Sequence, residues 1–244
     1  MIVVFAKRPE AGTVKTRLCP PLTPDEAAEL YAAMLGDVLE TTARAAAEAR
    51  AASWLAVHPP DAASALAASA PPDFAAVAQR GADLSQRMAH AVAAAAAAGF
   101  ERILLRGSDC PTLPAEALLR GLDALEDADL AVGPDRDGGY GWLALRRPLA
   151  GLFDHPMSTG SVLADTLANA RAAGLRTCTL DPHFDLDTAA DLAALAELRR
   201  GGGAVSCPRT LAVLDERALW SRVGVGADES PGAARSRSRA MPPN

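Results

Sequence analysis

Short apolar runs alternate with longer helical stretches along most of this chain, and this alternation constrains its fold more than any other feature. The predicted strands are residues 2–6, 53–57, 103–106, 130–132, 141–145 and 176–180. The predicted helices lie near residues 24–50, 84–98, 114–125, 159–173 and 188–200. Strands that alternate with helices of this length form βαβ units. The chain is therefore predicted to be an α/β protein of Rossmann-like type, with a mostly parallel, twisted sheet flanked by helices.

The sequence predicts one principal domain, residues 1–200. Three glycines at 201–203 interrupt the last core helix, and a short helix near 208–220 is expected within a C-terminal extension, residues 201–223. Residues 224–244 are polar and rich in Pro, Gly and Ser, which is typical of a segment that cannot bury enough apolar surface to fold. A disordered tail is therefore predicted there.

Two helix starts carry capping signals. Thr23 precedes a proline and lies three residues before Glu26, and Thr188 lies three residues before Asp191. A threonine followed by an acid at this spacing forms a capping box. Glu26 and Asp191 are therefore predicted to be caps and not catalysts.

The composition excludes several classes of function. The formal net charge is −6, whereas nucleic-acid-binding domains are generally basic. The longest apolar segment, residues 91–100, is too short to span a bilayer. Met1 runs directly into the first predicted strand, so no signal peptide is expected. Four widely spaced cysteines lack zinc-site spacing. We therefore expect a cytoplasmic protein without nucleic-acid or membrane partners.

The stretch FAKRPEAGTVKTRL, residues 5–18, places Lys7, Arg8, Lys15 and Arg17 directly after the first predicted strand, with Gly12 among them. A flexible glycine and cations near a helix N-terminus suit a di- or triphosphate. The alternative is a solvated basic loop, since the stretch matches neither the P-loop nor the GxGxxG pattern. Because Lys15 and Arg17 are two residues apart, an extended segment would direct both side chains to one diphosphate.

Acidic residues follow the later predicted strands. Asp109 lies in GSDCPTL, directly after strand 103–106, where a carboxylate is well placed to bind Mg²⁺. The alternative for Asp109 is a local Asx turn. Asp137 lies in a DGG sequence whose backbone a ligand can approach, or which simply turns the chain between two strands. Asp185 and Asp187 alternate in a predicted extended segment and would face the same way, with helix capping as the alternative for Asp187.

Six motifs occur in a familiar order: FAKRPEAGTVKTRL, GADLSQRM, GSDCPTL, DGGY, MSTGSVL and FDLDTAADL. Over roughly residues 1–200 they resemble a bacterial family of GT-A-like proteins known as radical-SAM/selenodomain-associated transferases or arsenosugar-biosynthesis glycosyltransferases. The segment KTRLCPPLTPDEAAELYAAMLGDVL resembles the phospholactate and phosphoenolpyruvate guanylyltransferases. FDLDTAADL is similar to an aspartate motif of sugar-phosphate and molybdopterin nucleotidyltransferases.

These resemblances imply a GT-A, Rossmann-like domain in which Mg²⁺, or Mn²⁺, bridges nucleotide phosphates to aspartates. The predicted nucleotide-binding residues are Ala6, Lys7, Gly12, Lys15, Arg17, Asp83, Arg87 and Ser108; among them, the resemblance implies that Lys15 and Arg17 contact the phosphates and that Asp83 and Arg87 lie near the nucleobase or ribose. The implied metal ligands are Asp109, Asp187 and Asp185. The predicted catalytic residues are Lys15, Arg17, Asp109 and Asp137.

Three functions are compatible with these residues. In the first, a phosphate- or phosphonate-like acceptor attacks the α-phosphorus of an NTP, with GTP as the first candidate, and pyrophosphate is released. In the second, a sugar is transferred from a nucleotide-diphosphate donor, with Asp137 as base or acceptor-orienting group. In the third, the chain binds a nucleotide without turnover. The KTRL segment and the single acid in Ser108-Asp109-Cys110 favour nucleotidyl transfer. The expected partners are a nucleotide donor and a small-molecule acceptor, and a homodimer is compatible with the sequence.

Overall fold

The structure, a computed structural model, describes residues 1–202 and 205–223. Its centre is a seven-stranded sheet with the order β3-β2-β1-β4-β6-β5-β7. The strands are β1 (Ile2–Lys7), β2 (Ser53–His58), β3 (Phe74–Ala78), β4 (Ile103–Arg106), β5 (Leu130–Pro134), β6 (Tyr140–Leu145) and β7 (Thr177–Thr179). Only β6 among these strands runs antiparallel to its neighbours. The predicted α/β class with a mostly parallel sheet is confirmed.

Seven α-helices accompany the sheet in the described residues. They are α1 (Pro24–Ala49), α2 (Ala63–Ser69), α3 (Leu84–Ala97), α4 (Ala115–Asp123), α5 (Val162–Ala172), α6 (Ala189–Arg200) and α7 (Pro208–Glu216). Short 3₁₀ turns include Thr16–Leu18, between β1 and α1, and Leu219–Val223, after α7. None of the helices in residues 1–202 and 205–223 combines the length and apolarity needed to cross a membrane.

The helices cover both faces of the sheet because successive strand residues point to opposite sides. On one face, Val3 belongs to a buried cluster with α3 and α5 residues such as Val92 and Ala170. On the other face, Ile2 and Val4 lie in clusters that include residues of α1, α2 and α4. Strands covered on both faces are continuous apolar runs, which explains why β1 and β4 were readable from the sequence.

Both predicted capping boxes are present. The Thr23 side chain accepts from the Glu26 backbone N–H, and the Glu26 carboxylate accepts from Thr23 N at 2.8 Å. Thr188 and Asp191 form the same reciprocal pair at the start of α6, where Thr188 N donates to Asp191 at 2.7 Å. These caps fix where α1 begins, after the cationic stretch that follows β1, and where α6 begins, directly after Asp185 and Asp187.

Two elements were missed from the sequence, β3 and α2. Both are short and Ala-rich, so neither shows a clear hydrophobic period. β3 is an edge strand that pairs with β2 alone, and its residues are mostly half-buried. Such a strand is specified by pairing with its neighbour more than by its own composition.

The C-terminal extension packs onto the principal domain. Leu214, Leu219 and Trp220 are buried in one cluster with residues of α1 and α6. The buried Asp37 carboxylate of α1 accepts from Thr210 N at 2.8 Å and from Thr210 Oγ1 at 2.7 Å. Each fully buried leucine of this kind stabilises the fold by about 1.5–3 kcal/mol. The predicted disordered tail, residues 224–244, lies outside the described residues.

Candidate active site

A cleft of about 510 Å³ lies over the carboxyl ends of β1, β2 and β4, where ligands bind in open parallel sheets. The segments that line it include the loop after β1, the turn after β4, the β5–β6 turn and the segment before α6. We call the first the cationic loop (residues 7–18) and the last the acidic segment (residues 181–188). Right-handed crossovers bring these distant segments to one edge of the sheet.

Lys15 forms the centre of the site. Its side chain is only 3% exposed, and its Nζ lies 2.5 Å from Asp109 Oδ1 and 2.6 Å from Asp187 Oδ1. Burial lowers the pKa of Lys15, but the attraction of Asp109 and Asp187 outweighs it and raises the pKa above its usual value. Lys15 is therefore a permanent ammonium that joins the cationic loop to both acidic sites.

The cationic loop is not extended at this point, contrary to the sequence expectation. Lys15 adopts φ 49° and ψ 36°, in the left-handed region, and Arg17 lies in the 3₁₀ turn that follows. The two side chains nevertheless converge, because Arg17 Nη1 lies 3.8 Å from Asp187 Oδ2. The left-handed backbone conformation of Lys15 itself, and not the alternation of side chains along a strand, directs its side chain into the cleft.

Lys7 and Arg8 diverge, as adjacent residues at the end of a strand do. Lys7 lines the cleft, and its backbone N–H donates to Tyr31 OH at 2.9 Å. Arg8 forms an ion pair with Asp61 and a longer one with Glu10 at 3.8 Å. Arg8 does not line the cleft. Lys7 is thus the only one of this adjacent pair that faces the ligand space.

Five carboxylates line the cleft; four of them, those of Asp109, Asp135, Asp185 and Asp187, form its acidic side, and the fifth is that of Asp137. Burial, followed by the charges of Asp109 and Asp135, raises the pKa of Asp185 to about 9. Burial is also the largest cause of the raised pKa of Asp135, and its Oδ1 accepts from Asp185 N at 3.3 Å. The raised pKa values thus reflect burial first and the neighbouring negative charges second, and a bound cation would favour the charged forms of both carboxylates.

Asp135 was missed as a site residue. It lies two residues before Asp137 in the same GPDRDGG sequence, and the sequence alone gives no reason to assign one of these two acids to the site and not the other. The structure separates them, since Asp135 faces the acidic segment through its bridge with His183, whereas the Asp137 side chain turns back on its own loop. The sequence signal that could have identified Asp135 is its position directly after Pro134, at the end of the buried strand β5.

Asp137 closes the turn between β5 and β6. Its Oδ1 accepts from Gly139 N at 2.9 Å, which is the simple turn role considered from the sequence. Gly138 has φ +90°, and a Cβ there would lie 2.1 Å from Gly160 O. This turn therefore packs directly against the MSTG loop at the rim of the cleft. A catalytic role for Asp137 stays a prediction.

The turn that contains Asp109 is fixed to α1 by hydrogen bonds of buried side chains. The buried Arg106 donates through Nη1 to Thr42 Oγ1 of α1 at 3.0 Å and through Nη2 to Cys110 O at 3.1 Å. Ser108 Oγ lies 2.8 Å from Tyr31 OH. Burial lowers the pKa of Arg106 to about 10. These contacts tie the Asp109 turn to α1, and neither Arg106 nor Tyr31 was singled out from the sequence.

The other predicted nucleotide-binding residues divide into two groups. Ala6, Arg87 and Ser108 line the cleft, whereas Gly12 and Asp83 do not. Asp83 instead caps α3, where its Oδ1 accepts from Gln86 N at 2.8 Å. A nucleotide contact of Gly12 or Asp83 stays a prediction.

A second group of basic side chains, those of Lys7, His58 and Arg87, lies across the cleft from the aspartates. Burial, followed by the charges of Arg87 and Lys7, lowers the pKa of His58, and all three residues line the cleft. The buried Nε of Arg87 has no hydrogen-bond partner within the described part of the chain. The cleft thus has a basic side at the ends of β1–β3 and an acidic side at the ends of β4–β6.

The donor set fits Mg²⁺ or Mn²⁺ delivered with a nucleotide. Mg²⁺ ordinarily takes one or two carboxylates together with phosphate oxygens and water. Asp109 and Asp187 already share one cation, the Lys15 ammonium, and Asp185 lies in the same acidic group. In residues 1–202 and 205–223, no three His, Cys, Asp or Glu side chains form a ready-made metal site. A metal bound here would take one or two of these carboxylates and complete its coordination with phosphate oxygens and water.

Comparison with known proteins identifies the family. Residues 41–159 match a family described as "Uncharacterized protein conserved in bacteria (DUF2064)". The chain is 32% identical over 189 residues to the phosphoenolpyruvate guanylyltransferase of Sphaerobacter thermophilus, which covers 76% of this chain and 87% of that protein. The chain belongs to the DUF2064 family. It is also 34% identical over 131 residues to the phosphoenolpyruvate guanylyltransferase of Chloroflexus aggregans, over 49% of this chain and 64% of that protein.

A solved structure supports the same placement. A protein from Desulfovibrio desulfuricans G20, provisionally described as a nucleotide-diphospho-sugar transferase, is 34% identical with a TM-score of 0.80. The match covers 91% of this DUF2064 protein and 96% of that chain. The predicted fold and the enzyme class, a nucleotide-dependent transferase, are confirmed by these relatives. The association with radical-SAM and arsenosugar systems stays a prediction.

Proposed function

We propose that this DUF2064 protein is a metal-dependent nucleotidyltransferase, which transfers a nucleoside monophosphate from an NTP to a small phosphorylated acceptor and releases pyrophosphate. One observation carries the proposal: Lys15 Nζ lies within 2.6 Å of carboxylates on two different loops, Asp109 and Asp187. A triphosphate with its metal requires cations and carboxylates at the same point of a cleft. A nucleotide binder without turnover has no need of both charges there.

The relatives suggest the substrates. Two homologues are named phosphoenolpyruvate guanylyltransferase, so GTP is the first donor and phosphoenolpyruvate the first acceptor to test. The basic side of the cleft, with Lys7, His58 and Arg87, suits an anionic ligand. A phosphate- or phosphonate-like acceptor agrees with this charge.

In the proposed reaction an acceptor phosphate oxygen attacks the α-phosphorus of the NTP, and the bond from that phosphorus to the β-phosphate bridging oxygen breaks. Lys15 and Arg17 hold the β- and γ-phosphates and take up the charge that develops on departing pyrophosphate. Asp109 and Asp187 would hold Mg²⁺, with Asp185 as a further oxygen donor. The metal supplies charge neutralisation at the phosphates.

Glycosyl transfer is the second candidate function. The observation that favours it is the Desulfovibrio relative, whose description names a nucleotide-diphospho-sugar transferase and which matches nearly the whole fold. The same cleft would then hold the diphosphate of an NDP-sugar. The two functions differ in the product, since nucleotidyl transfer releases pyrophosphate and glycosyl transfer releases a nucleoside diphosphate.

The test compares wild type with Asp109→Asn in assays for pyrophosphate from GTP and phosphoenolpyruvate, and for NDP from NDP-sugars, with Mg²⁺ or Mn²⁺. We expect pyrophosphate from the wild type. We expect a loss of orders of magnitude in Asp109→Asn with little change in melting temperature, because the substitution removes charge but little volume. Asp61→Asn, outside the cleft, is the control and should stay active. Near-full activity of Asp109→Asn, or NDP as the product, would contradict the proposal.

A further inference from the structure

The two loops of opposite charge that meet at Lys15 are far apart in sequence. The cationic loop precedes α1 by five residues, and the acidic segment leads directly into α6. The ion pair of Lys15 with Asp187 joins residues 172 positions apart, at 2.6 Å. The acidic segment is fixed to the edge of the sheet, because His183 N donates to Pro134 O and Leu186 N donates to Asp109 O, each at 2.9 Å. Beyond Lys7 the cationic loop leaves the sheet, so packing outside the sheet contributes to the distance between the two loops.

One buried cluster lies behind both loops. Leu18, three residues after Lys15, and Leu186, between the two acids, are both fully buried in it. Trp220 of the C-terminal extension belongs to the same cluster and is 4% exposed. The interior that supports the charged loops is therefore completed by residues 205–223.

The extension is tied to the first turns of α1. Arg222 Nη1 lies 2.5 Å from Glu26 Oε2, and Arg217 Nη2 lies 2.9 Å from Glu29 Oε1. Glu26 is also the capping acid of α1. These contacts fall at the N-terminal end of the helix that follows the cationic loop.

The extension is tied equally to α6. Asp215 Oδ1 accepts from Arg199 of α6 at 2.8 Å and from Trp220 Nε1 at 2.7 Å. One carboxylate therefore orients the tryptophan ring and attaches it to the helix that follows the acidic segment. Exposed ion pairs of this kind contribute little by themselves. The apolar cluster around Trp220 supplies the rigidity, and the polar contacts set its orientation.

We propose that the C-terminal extension is a positioning element for the active site, with Trp220 as its principal residue. It holds the cationic loop and the acidic segment at the separation at which Lys15 reaches Asp187. Trp220 touches no ligand and acts through Leu18, Leu186 and the helices that follow them. The inference rests on the proposed function only for the choice of nucleotide in one of its two measurements.

The first measurement is hydrogen exchange of the ligand-free protein at residues 13–22 and 183–188. Trp220→Ala should increase exchange in both segments, and Trp220→Phe should restore most of the protection. Leu125→Ala is the matched control, because Leu125 is also fully buried but belongs to the cluster beneath α4. It should lower the melting temperature without selective exchange in the two loops. If Trp220→Ala does not fold, Trp220→Leu takes its place, with a smaller increase expected.

The second measurement is the Kd for GTP with Mg²⁺, by calorimetry well below the melting temperatures. Trp220→Ala should raise Kd at least tenfold, whereas Leu125→Ala should leave it within twofold of the wild-type value. Unchanged exchange in the Trp220 variants, or equal changes in the Leu125 control, would overturn the inference. A wild type that binds no nucleotide would instead contradict the proposed function, and the exchange measurement would still decide the role of Trp220.

Discussion

Lys15 meets two demanding conditions at once. Its backbone has φ 49°, a region that costs a non-glycine residue about 1–2 kcal/mol. Its ammonium is buried, and a buried charge is tolerated only when it is paired. Asp109 and Asp187 provide the pairing and remain partly exposed, at 41% and 35% of their side chains. Strained, charged positions of this kind concentrate at functional sites, and this one lies at the centre of the cleft.

Arg17 differs from Lys15 in being free to bind. Its side chain is 68% exposed, and its nearest acid, Asp187, is 3.8 Å away. Arg17→Ala should therefore weaken nucleotide binding by about 1.5–3 kcal/mol, the value of a hydrogen bond to a charged group. The free energy of unfolding should hardly change, because such exposed pairs contribute little. Calorimetry with GTP and Mg²⁺ measures the effect.

Two further variants sharpen this prediction. Arg17→Lys should recover only part of the affinity, because the guanidinium fork that grips two oxygens is lost. Arg8→Ala is the control, since Arg8 pairs with Asp61 outside the cleft and should leave the affinity unchanged. Equal nucleotide affinity of the wild type and Arg17→Ala would contradict phosphate binding and would favour the alternative that the cationic loop is a solvated surface.

At the scale of elements, the start of α6 sets the position of the acidic segment. Asp191 Oδ2 accepts from Thr188 N at 2.7 Å, from Thr188 Oγ1 at 2.7 Å and from Asp187 N at 3.1 Å. One carboxylate thus caps the helix and fixes the backbone of a predicted metal ligand. The cap serves the site as well as the helix.

Asp191→Ala should therefore lower both stability and ligand affinity. The loss of a capping interaction costs about 0.5–2 kcal/mol, and the several donors left unpaired place this variant toward the upper end. Nucleotide affinity with Mg²⁺ should fall about tenfold, since Asp187 is no longer held. Thr188→Ala is the comparison, because it removes the hydroxyl but leaves Asp191 bonded to Asp187 N. Denaturant unfolding and calorimetry test both effects, and equal affinity losses in the two variants would contradict the linkage.

At the scale of the whole molecule, the chain should tolerate truncation at one point and not at another. Removing residues 225–244 should leave stability and activity unchanged, because this segment lacks the apolar content to compensate for the entropy of ordering. Ending the chain after residue 202 should lower the melting temperature by more than about 5 °C, because the cluster around Trp220 would be opened. Thermal unfolding of the two truncations tests this. A large decrease in melting temperature on removal of residues 225–244 alone would contradict the prediction that this segment does not pack against the rest of the chain.

The sequence by itself determined the class of fold and predicted which residues would meet at one edge of the sheet. The periodicity of apolar residues is local, so β1, β4 and six of the helices could be predicted close to their observed bounds, and the capping boxes of α1 and α6 were predicted correctly. Because loops after parallel strands meet at one edge, and because the motifs resemble those of nucleotide-dependent transferases, Lys15, Asp109 and Asp187 were predicted to share one site, and the structure brings these three side chains together.

Only the tertiary structure decided how these residues meet. The left-handed conformation of Lys15, the part of Asp135 in the acidic group and the docking of Trp220 behind both loops depend on contacts between residues far apart in sequence. The edge strand β3 likewise exists through its pairing with β2. Local pattern encodes secondary structure, whereas charge pairing and burial depend on distances that only the packed chain defines.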